Sequence, residues 1–345
     1  MTTSTTLTIG ELESRVARIF ERCGVNAIAA GAVARVITAG ERDNCKSHGV
    51  YRIEGCLRVL KAGKVEPDVV PSVAEGEGPV LRADAKGGYA SPAYEVARSY
   101  LIERVKTHGL AALVINDCLH FSALWYEVED LARDGLAAIS MCPSYAVMAP
   151  FGGKRPLFGT NPFAFGWPRK GEHPYVFDFA TSVAARGEIE IYRREGRSLP
   201  EGWAVDAEGN PTTDPAAALE GAMMPFGGHK GSAIATMIEL LAGAMIGDFM
   251  SSEALEFMGG SSTLLPRHGA LVLAFDPAVL AKGRGRDPVE DGERLLESIV
   301  DQGARLPSQR RYEARRAAER DGIALSPQEI DLLDRLETMG LDAID

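Results

Sequence analysis

A single short segment, Ser47-His48-Gly49-Val50-Tyr51-Arg52, holds a proton-transfer group and a carboxylate-binding group. An imidazole titrates near neutrality and can give up a proton at working pH. The planar guanidinium of Arg52 can hold a carboxylate through two parallel hydrogen bonds. On a helix, positions four apart share a face, so a substrate with a carboxylate beside a C=O or C=N bond would meet both groups. The six residues also admit a plainer reading as a helix start, with Ser47 as cap and Arg52 in solvent.

Four other segments carry candidate chemistry. Asn116-Asp117-Cys118-Leu119-His120-Phe121 leaves an apolar strand, where α/β folds often place ligands, though His120 could equally make an ordinary capping contact. Gly159-Thr160-Asn161-Pro162 offers a hydroxyl and an amide in a tight turn, and most such tetrapeptides are plain turns. Asp178-Phe179-Ala180-Thr181-Ser182 ends a strand in polar residues, followed by Gly187-Glu188; Asp178 could bind a ribose, orient a histidine or cap the next helix. Phe226-Gly227-Gly228-His229-Lys230-Gly231 precedes an apolar helix, and glycines at a helix start let backbone approach an anion.

The elements that must position these groups follow from apolar spacing. Residues 9–39 read as two helices broken at Gly24, and residues 53–62 as a third stopping near Gly63. A Pro- and Gly-rich connector marks a first domain boundary, after which residues 80–84 read as a strand. Helix 93–107, strand 110–116, helix 121–133 and strand 136–142 then alternate, the pattern of a mixed α/β core. Residues 151–167 read as loops around a site, 175–178 as a strand, 232–246 as an apolar helix, 270–275 as a strand, and 287–302 and 312–321 as helices. Ser326, Pro327 and Glu329 open a last helix with a capping box.

Composition narrows the function. With 345 residues and 46% hydrophobic content the chain can bury a large core. A net charge of -11 argues against a nucleic-acid partner. No apolar run reaches the ~20 residues of a membrane span, and the N-terminus has no basic region ahead of an apolar stretch, so neither a membrane nor a secretory route is expected. Five cysteines without CxxC spacing suit reduced thiols in a cytoplasmic enzyme. Six scattered histidines give no metal-ligand spacing, so no metal is expected. No GxGxxG occurs, which removes the usual dinucleotide fingerprint.

Taken in order, SHGVYR, HF, GTNP, DFATS and GGHKG resemble the malate/L-lactate dehydrogenase type 2 family over nearly the whole chain. Residues 120–125, 155–162, 194–197 with Leu199-Pro200, 225–231, Arg305-Leu306-Pro307 and Arg310-Arg311-Tyr312 are most similar to its Δ1-piperideine-2-carboxylate/Δ1-pyrroline-2-carboxylate reductases. The resemblance implies a non-Rossmann mixed α/β fold. Its helical domain would comprise residues 1–75 plus 308–345, and its mixed-sheet core residues 76–307. It implies NADPH as cofactor, with NADH possible, a cyclic imino acid as substrate and a homodimer. His48 would donate the proton, with Ser47 and Glu188 as its relay, and Arg52 and Thr160 would bind substrate. His48, His120, Asp178, Phe179, Ala180, His229, Lys230 and Arg305 would bind cofactor. Glu188 departs from the aspartate of those reductases by one methylene. Two alternatives remain: a 2-oxo acid or ureidoglycolate-type dehydrogenase, and a non-catalytic member of the fold.

Overall fold

The computed structural model describes residues 5–74, 76–262 and 264–344. The first four residues, on which the expectation of no secretory leader partly rests, lie outside them. The chain opens with β1 (Thr5–Leu7), α1 (Ile9–Arg22), α2 (Ala27–Arg42) and α3 (Tyr51–Lys61). A capping box starts α1: Thr8 Oγ1 accepts from Glu11 N at 3.2 Å, and the Glu11 carboxylate accepts from Thr8 N at 2.7 Å. Leu12, Val16, Ile19 and Phe20 then form one fully buried stripe.

The middle of the chain builds the sheet: β2 (Ser72–Ala74), β3 (Val80–Asp84), α4 (Ala90–His108), β4 (Leu110–Leu119), α5 (Trp125–Arg133), β5 (Ala137–Met141), β6 (Phe163–Trp167) and β7 (Tyr175–Phe179). A smaller unit follows: α6 (Arg186–Glu195), β8 (Ala204–Val205), β9 (Pro211–Thr212), α7 (Pro215–Glu220) and β10 (Ala222–Met223). Then come α8 (His229–Glu239), α9 (Ser251–Phe257), β11 (Arg267–Phe275), α10 (Pro277–Leu280), α11 (Pro288–Val300), α12 (Gln309–Asp321), β12 (Ile323–Leu325) and α13 (Pro327–Met339). The capping box expected at Ser326 and Glu329 starts α13.

The seven-stranded sheet runs β2-β3-β4-β11-β5-β6-β7. Only β3 and β4 pair in parallel, joined by the crossover helix α4; the other pairs are antiparallel. The late strand β11 inserts between β4 and β5. One sheet face is covered by α4 and α5 over Tyr94, Leu101, Leu113, Ile115 and Val128. On the other, α8 and its continuation bring Ile238, Ala242 and Ile246 onto Met141 and Leu271. The chain ends share a separate core, in which Leu12, Ile19, Ile37 and Leu57 meet Ile323, Leu333 and Leu336, and β1 pairs with β12.

A buried ion cluster ties these bodies together. Arg311 Nη1 reaches Asp43 at 3.0 Å and Glu129 at 2.5 Å, while Arg315 donates Nε to Asp43 at 2.9 Å and Nη1 to Glu129 at 2.5 Å. All four side chains are buried. Asp43 caps the C-terminal end of α2, Glu129 lies on α5, and both arginines lie on α12. The Arg311 guanidinium also sits 4.0 Å over the Trp125 ring at the start of α5.

Two local expectations differ from the structure. Residues 46–48 form a 3-10 turn that breaks at Gly49 (ψ -141), and α3 starts afresh at Tyr51, so His48 and Arg52 do not share one helix. Residues 163–167 are a strand rather than loop. Phe163, Phe165 and Trp167 share one face of the strand; Phe163 and Phe165 pack edge-on or tilted against Phe177 and its β7 neighbours, and Trp167 stacks on Phe165. Gly166 faces α5 so closely that a Cβ would lie 2.3 Å from the Val128 carbonyl oxygen.

Arg315→Met leaves two buried carboxylates short of a partner, a loss typically worth about 3–5 kcal/mol. Urea unfolding is expected to show a loss of this size, and a midpoint unchanged from wild type would remove the cluster from its structural role.

Candidate active site

Ser47 and His48 sit on the 3-10 turn between α2 and α3, with the Ser47 hydroxyl and His48 Nδ1 sharing a hydrogen bond of 3.0 Å. That bond leaves Nε2 as the nitrogen free for proton exchange. Burial pushes the His48 imidazole down to about 3, and the Arg52 charge adds to the effect. Arg52 lies in the first turn of α3, and its Nε is buried with no partner among the described residues. A buried, unpaired guanidinium nitrogen is costly unless a ligand supplies the acceptor.

His120 leaves β4 beside them. Its ring is buried and pushed down to about 3, first by burial and then by the nearby His268, His48 and Arg52. His268 was not anticipated. A bulge interrupts β11 between His268 and Ala270, and the His268 ring stacks at 6.0 Å and 22° on His120. With Gly269 O lying 2.8 Å from His268 Nδ1, that nitrogen carries the proton and donates. Sequence spacing could not find this pair, because only the β4–β11 register brings Cys118 opposite His268.

Asp178 is the penultimate residue of β7, and its carboxylate accepts from Trp125 N at 2.9 Å, so it caps α5 rather than the helix that follows it in sequence. This explains why α5 begins at Trp125 and not at Phe121. Burial nonetheless pushes Asp178 up to about 6. Nearby Glu127, on the first turn of α5, is buried with Oε2 unpaired and is pushed up to about 8, chiefly by burial.

Thr160 joins this group through Thr181, whose backbone N and Oγ1 both donate to the Thr160 carbonyl, at 2.8 and 3.0 Å. The Asn161 amide is not offered to a ligand. Asn161 is fully buried at φ 35 and donates to Glu239 at 2.8 Å, while Ser251 Oγ donates to its Oδ1 at 3.1 Å. Glu239 and Ser251 lie far along the chain, and nothing in the sequence pairs them with the turn. Phe226 N donates to Thr181 O at 2.9 Å, which sets the Gly227-Gly228 turn and the start of α8 alongside. That start has no side-chain cap, and His229 and Lys230 are exposed on it. Phe179 is 40% exposed and packs edge-on to Phe226, and Ala180 is half-buried beside it. Tyr145 also belongs here: its phenol is pushed up by burial and lies within the field of Arg186 and Arg52.

Ser47, His48, Arg52, His120, Asp178, Phe179, Ala180, Thr160, His229 and Lys230 therefore stand on linked segments around the β4 and β7 ends. Glu188 and Arg305 stand apart. Glu188 is exposed on α6, Arg305 is exposed after α11, and neither side chain makes an ion pair or hydrogen bond among the described residues. Within one chain Glu188 does not reach Ser47 or His48.

The model of the malate/L-lactate dehydrogenase family matches residues 7–334. The chain belongs to that family. It is 63% identical over all of both chains to the Delta(1)-pyrroline-2-carboxylate reductase of Agrobacterium fabrum. It is 49% identical to the Delta(1)-pyrroline-2-carboxylate/Delta(1)-piperideine-2-carboxylate reductase of Pseudomonas aeruginosa, covering 92% of this chain and 95% of that one. The crystal structure of the delta1-piperideine-2-carboxylate reductase of Pseudomonas syringae pvar. tomato superposes with a TM-score of 0.92 at 40% identity, covering 96% and 99% of the two chains. The fold is thus the mixed α/β fold of the malate/L-lactate dehydrogenase family.

The Arg52 charge disfavours a second positive charge on His48, so its removal must raise the His48 pKa, although burial keeps it below the free value of about 6.5. Nitrogen-15 NMR titration of Arg52→Gln is expected to show His48 protonating at higher pH than in the wild type. Identical titration curves would separate the two groups.

Proposed function

We propose that this family member reduces cyclic imino acids, Δ1-pyrroline-2-carboxylate to L-proline and Δ1-piperideine-2-carboxylate to L-pipecolate, with NADPH. The observation that carries the reading is the buried, unpartnered Arg52 Nε beside a neutral His48, a pair suited to a carboxylate next to a bond that accepts a proton. The reductase relatives support the same substrate class.

The residues fit a nicotinamide cofactor. The bare N-terminus of α8, with Lys230 exposed on it, suits a phosphate group. The β7 end at Asp178, Phe179 and Ala180, together with His120 and the exposed Arg305, completes the surface we assign to the cofactor. When bound, the cofactor supplies a hydride to the carbon that carries the carboxylate. Arg52 and the Thr160 hydroxyl hold that carboxylate and fix which face of the carbon is presented. His48 gives its Nε2 proton to the ring nitrogen. The free chain holds His48 neutral, and a substrate carboxylate on Arg52 cancels the repulsion that opposes the imidazolium. The proton is therefore best held once substrate is in place. The Ser47 hydroxyl accepts from Nδ1–H of the charged ring and fixes its orientation.

We further propose a cytoplasmic homodimer. Ile191 on α6, Met237 on α8 and Leu240 just beyond it are each exposed apolar side chains, which a second copy would cover. Glu188 lies on the same helix as Ile191, and the relay we propose for it requires that assembly to bring it to a Ser47–His48 pair. We also propose that residues 1–75 with 308–345 form one domain and residues 76–307 the other.

A panel of both cyclic imines and pyruvate, with NADPH and NADH, tests the reading. Consumption of NADPH only with the imines is expected, and consumption with pyruvate alone would turn the assignment to a 2-oxo acid dehydrogenase. His48→Ala should lower imine turnover by ~10²–10⁴-fold, the usual worth of a general acid, with cofactor affinity largely retained. Near-normal turnover would remove His48 as donor. Loss of a carboxylate disfavours the imidazolium, so Glu188→Gln should lower the His48 pKa and move the alkaline fall of activity to lower pH. A pH–rate profile that overlays the wild type would leave Glu188 as a surface residue.

A further inference from the structure

Glu41 stands on the last turn of α2, only 4% exposed, ahead of the Ser47-His48 turn. A carboxylate taken out of water costs several kcal/mol unless its oxygens are used. Both are used here. Oε1 accepts from Val50 N at 2.8 Å, and Oε2 takes the Lys46 ammonium. Lys46 and Val50 flank Ser47-His48-Gly49, one residue outside it on each side. Neither the 3-10 turn nor the start of α3 has a side-chain cap of its own. The approach is close enough to demand two glycines. A Cβ on Gly49 would lie 2.1 Å from Glu41 Oε1, and a Cβ on Gly40 would lie 2.5 Å from the His48 carbonyl oxygen. From its other side, Lys46 Nζ lies 3.5 Å from Glu329 of α13.

We propose that Glu41 is a positioning residue that sets His48 and Arg52 relative to each other. The proton donor sits on the 3-10 turn and the carboxylate anchor on α3, and the chain kinks between them at Gly49. No helix therefore fixes their separation. The Glu41 carboxylate bridges the two elements, holding Lys46 two residues before His48 and Val50 two residues before Arg52. It touches neither substrate nor cofactor and acts through the backbone. The inference rests on the imine-reductase reading of the same site.

Glu41→Gln keeps an oxygen for Val50 N but loses the charge on Lys46. Glu41→Asp keeps the charge with one methylene less reach. Displacement of a reacting group by about 1 Å can cost 10²-fold, so Glu41→Gln is expected to lower kcat/KM for the imino acid by roughly 10–10²-fold, through a higher KM and a lower kcat together. Glu41→Asp should recover part of the loss. NADPH affinity, read by fluorescence, should stay at the wild-type value, and so should the midpoints of the pH–rate profile. In nitrogen-15 histidine spectra the His48 ring signals should move while those of His268 do not. A Glu41→Gln enzyme that melts earlier but keeps kcat, KM and the His48 signals overturns the proposal, and a shifted pH midpoint overturns it in favour of an electrostatic role. If the wild type reduces no cyclic imine, the functional reading fails, and the His48 signals alone still decide the role of Glu41.

Discussion

The four-way ion cluster of Asp43, Glu129, Arg311 and Arg315 is the constraint on which the site depends. Asp43 closes α2 only four residues before Ser47. Glu129 belongs to the helix whose first amide Asp178 caps. Arg311 adds its stack on Trp125 at the start of that helix. One pair of arginines from the end of the chain therefore holds the proton-transfer turn against the strand ends that face it. Charges this deeply buried gain little net stability over apolar packing, but an incomplete set is strongly destabilising. Such a cluster enforces one arrangement of the bodies it joins.

The electrostatics of the site follow from the same burial. His48 and His120 are both held neutral at neutral pH, each first by desolvation; Arg52 adds to the effect on both, and the neighbouring imidazoles oppose charging of His120. Arg52 stands among them with Nε unpaired among the described residues. The free site thus carries a positive charge lacking a partner, beside an imidazole that cannot yet be charged. A carboxylate ligand partners that charge and removes its repulsion on the imidazole, which couples substrate binding to readiness for proton transfer. Uncharged ligands of the same shape would not do so.

Much of the fold can be read from local pattern. The apolar stripe of α1, the Ser326 and Glu329 capping box and the buried strands β4 and β5 each declare themselves over a few residues. Strand β6 was concealed by the Pro- and Gly-rich residues before it, although Phe163, Phe165 and Trp167 alternate with strand period. The segments that carry the site were legible from residue type, but their roles depend on partners distant in sequence. Asp178 caps a helix that lies earlier in the chain, Asn161 is consumed by Glu239 and Ser251, and His268 meets His120 only through the β4–β11 register. Local spacing also set His48 and Arg52 on one helix, whereas Gly49 breaks the chain between them. What joins them is Glu41, a residue that looks ordinary until both its oxygens are accounted for.

The central claim is that Arg52 is the carboxylate anchor of this site. The most direct measurement is a crystal structure of the enzyme with NADP⁺ and pyrrole-2-carboxylate, a planar carboxylate that accepts no hydride. The ligand carboxylate is predicted to lie within hydrogen-bond distance of Arg52 Nε, at about 2.7–3.0 Å, with the Thr160 hydroxyl on the same group and the ring nitrogen facing His48. A ligand carboxylate bound elsewhere, with Arg52 Nε still unpaired, would contradict the account.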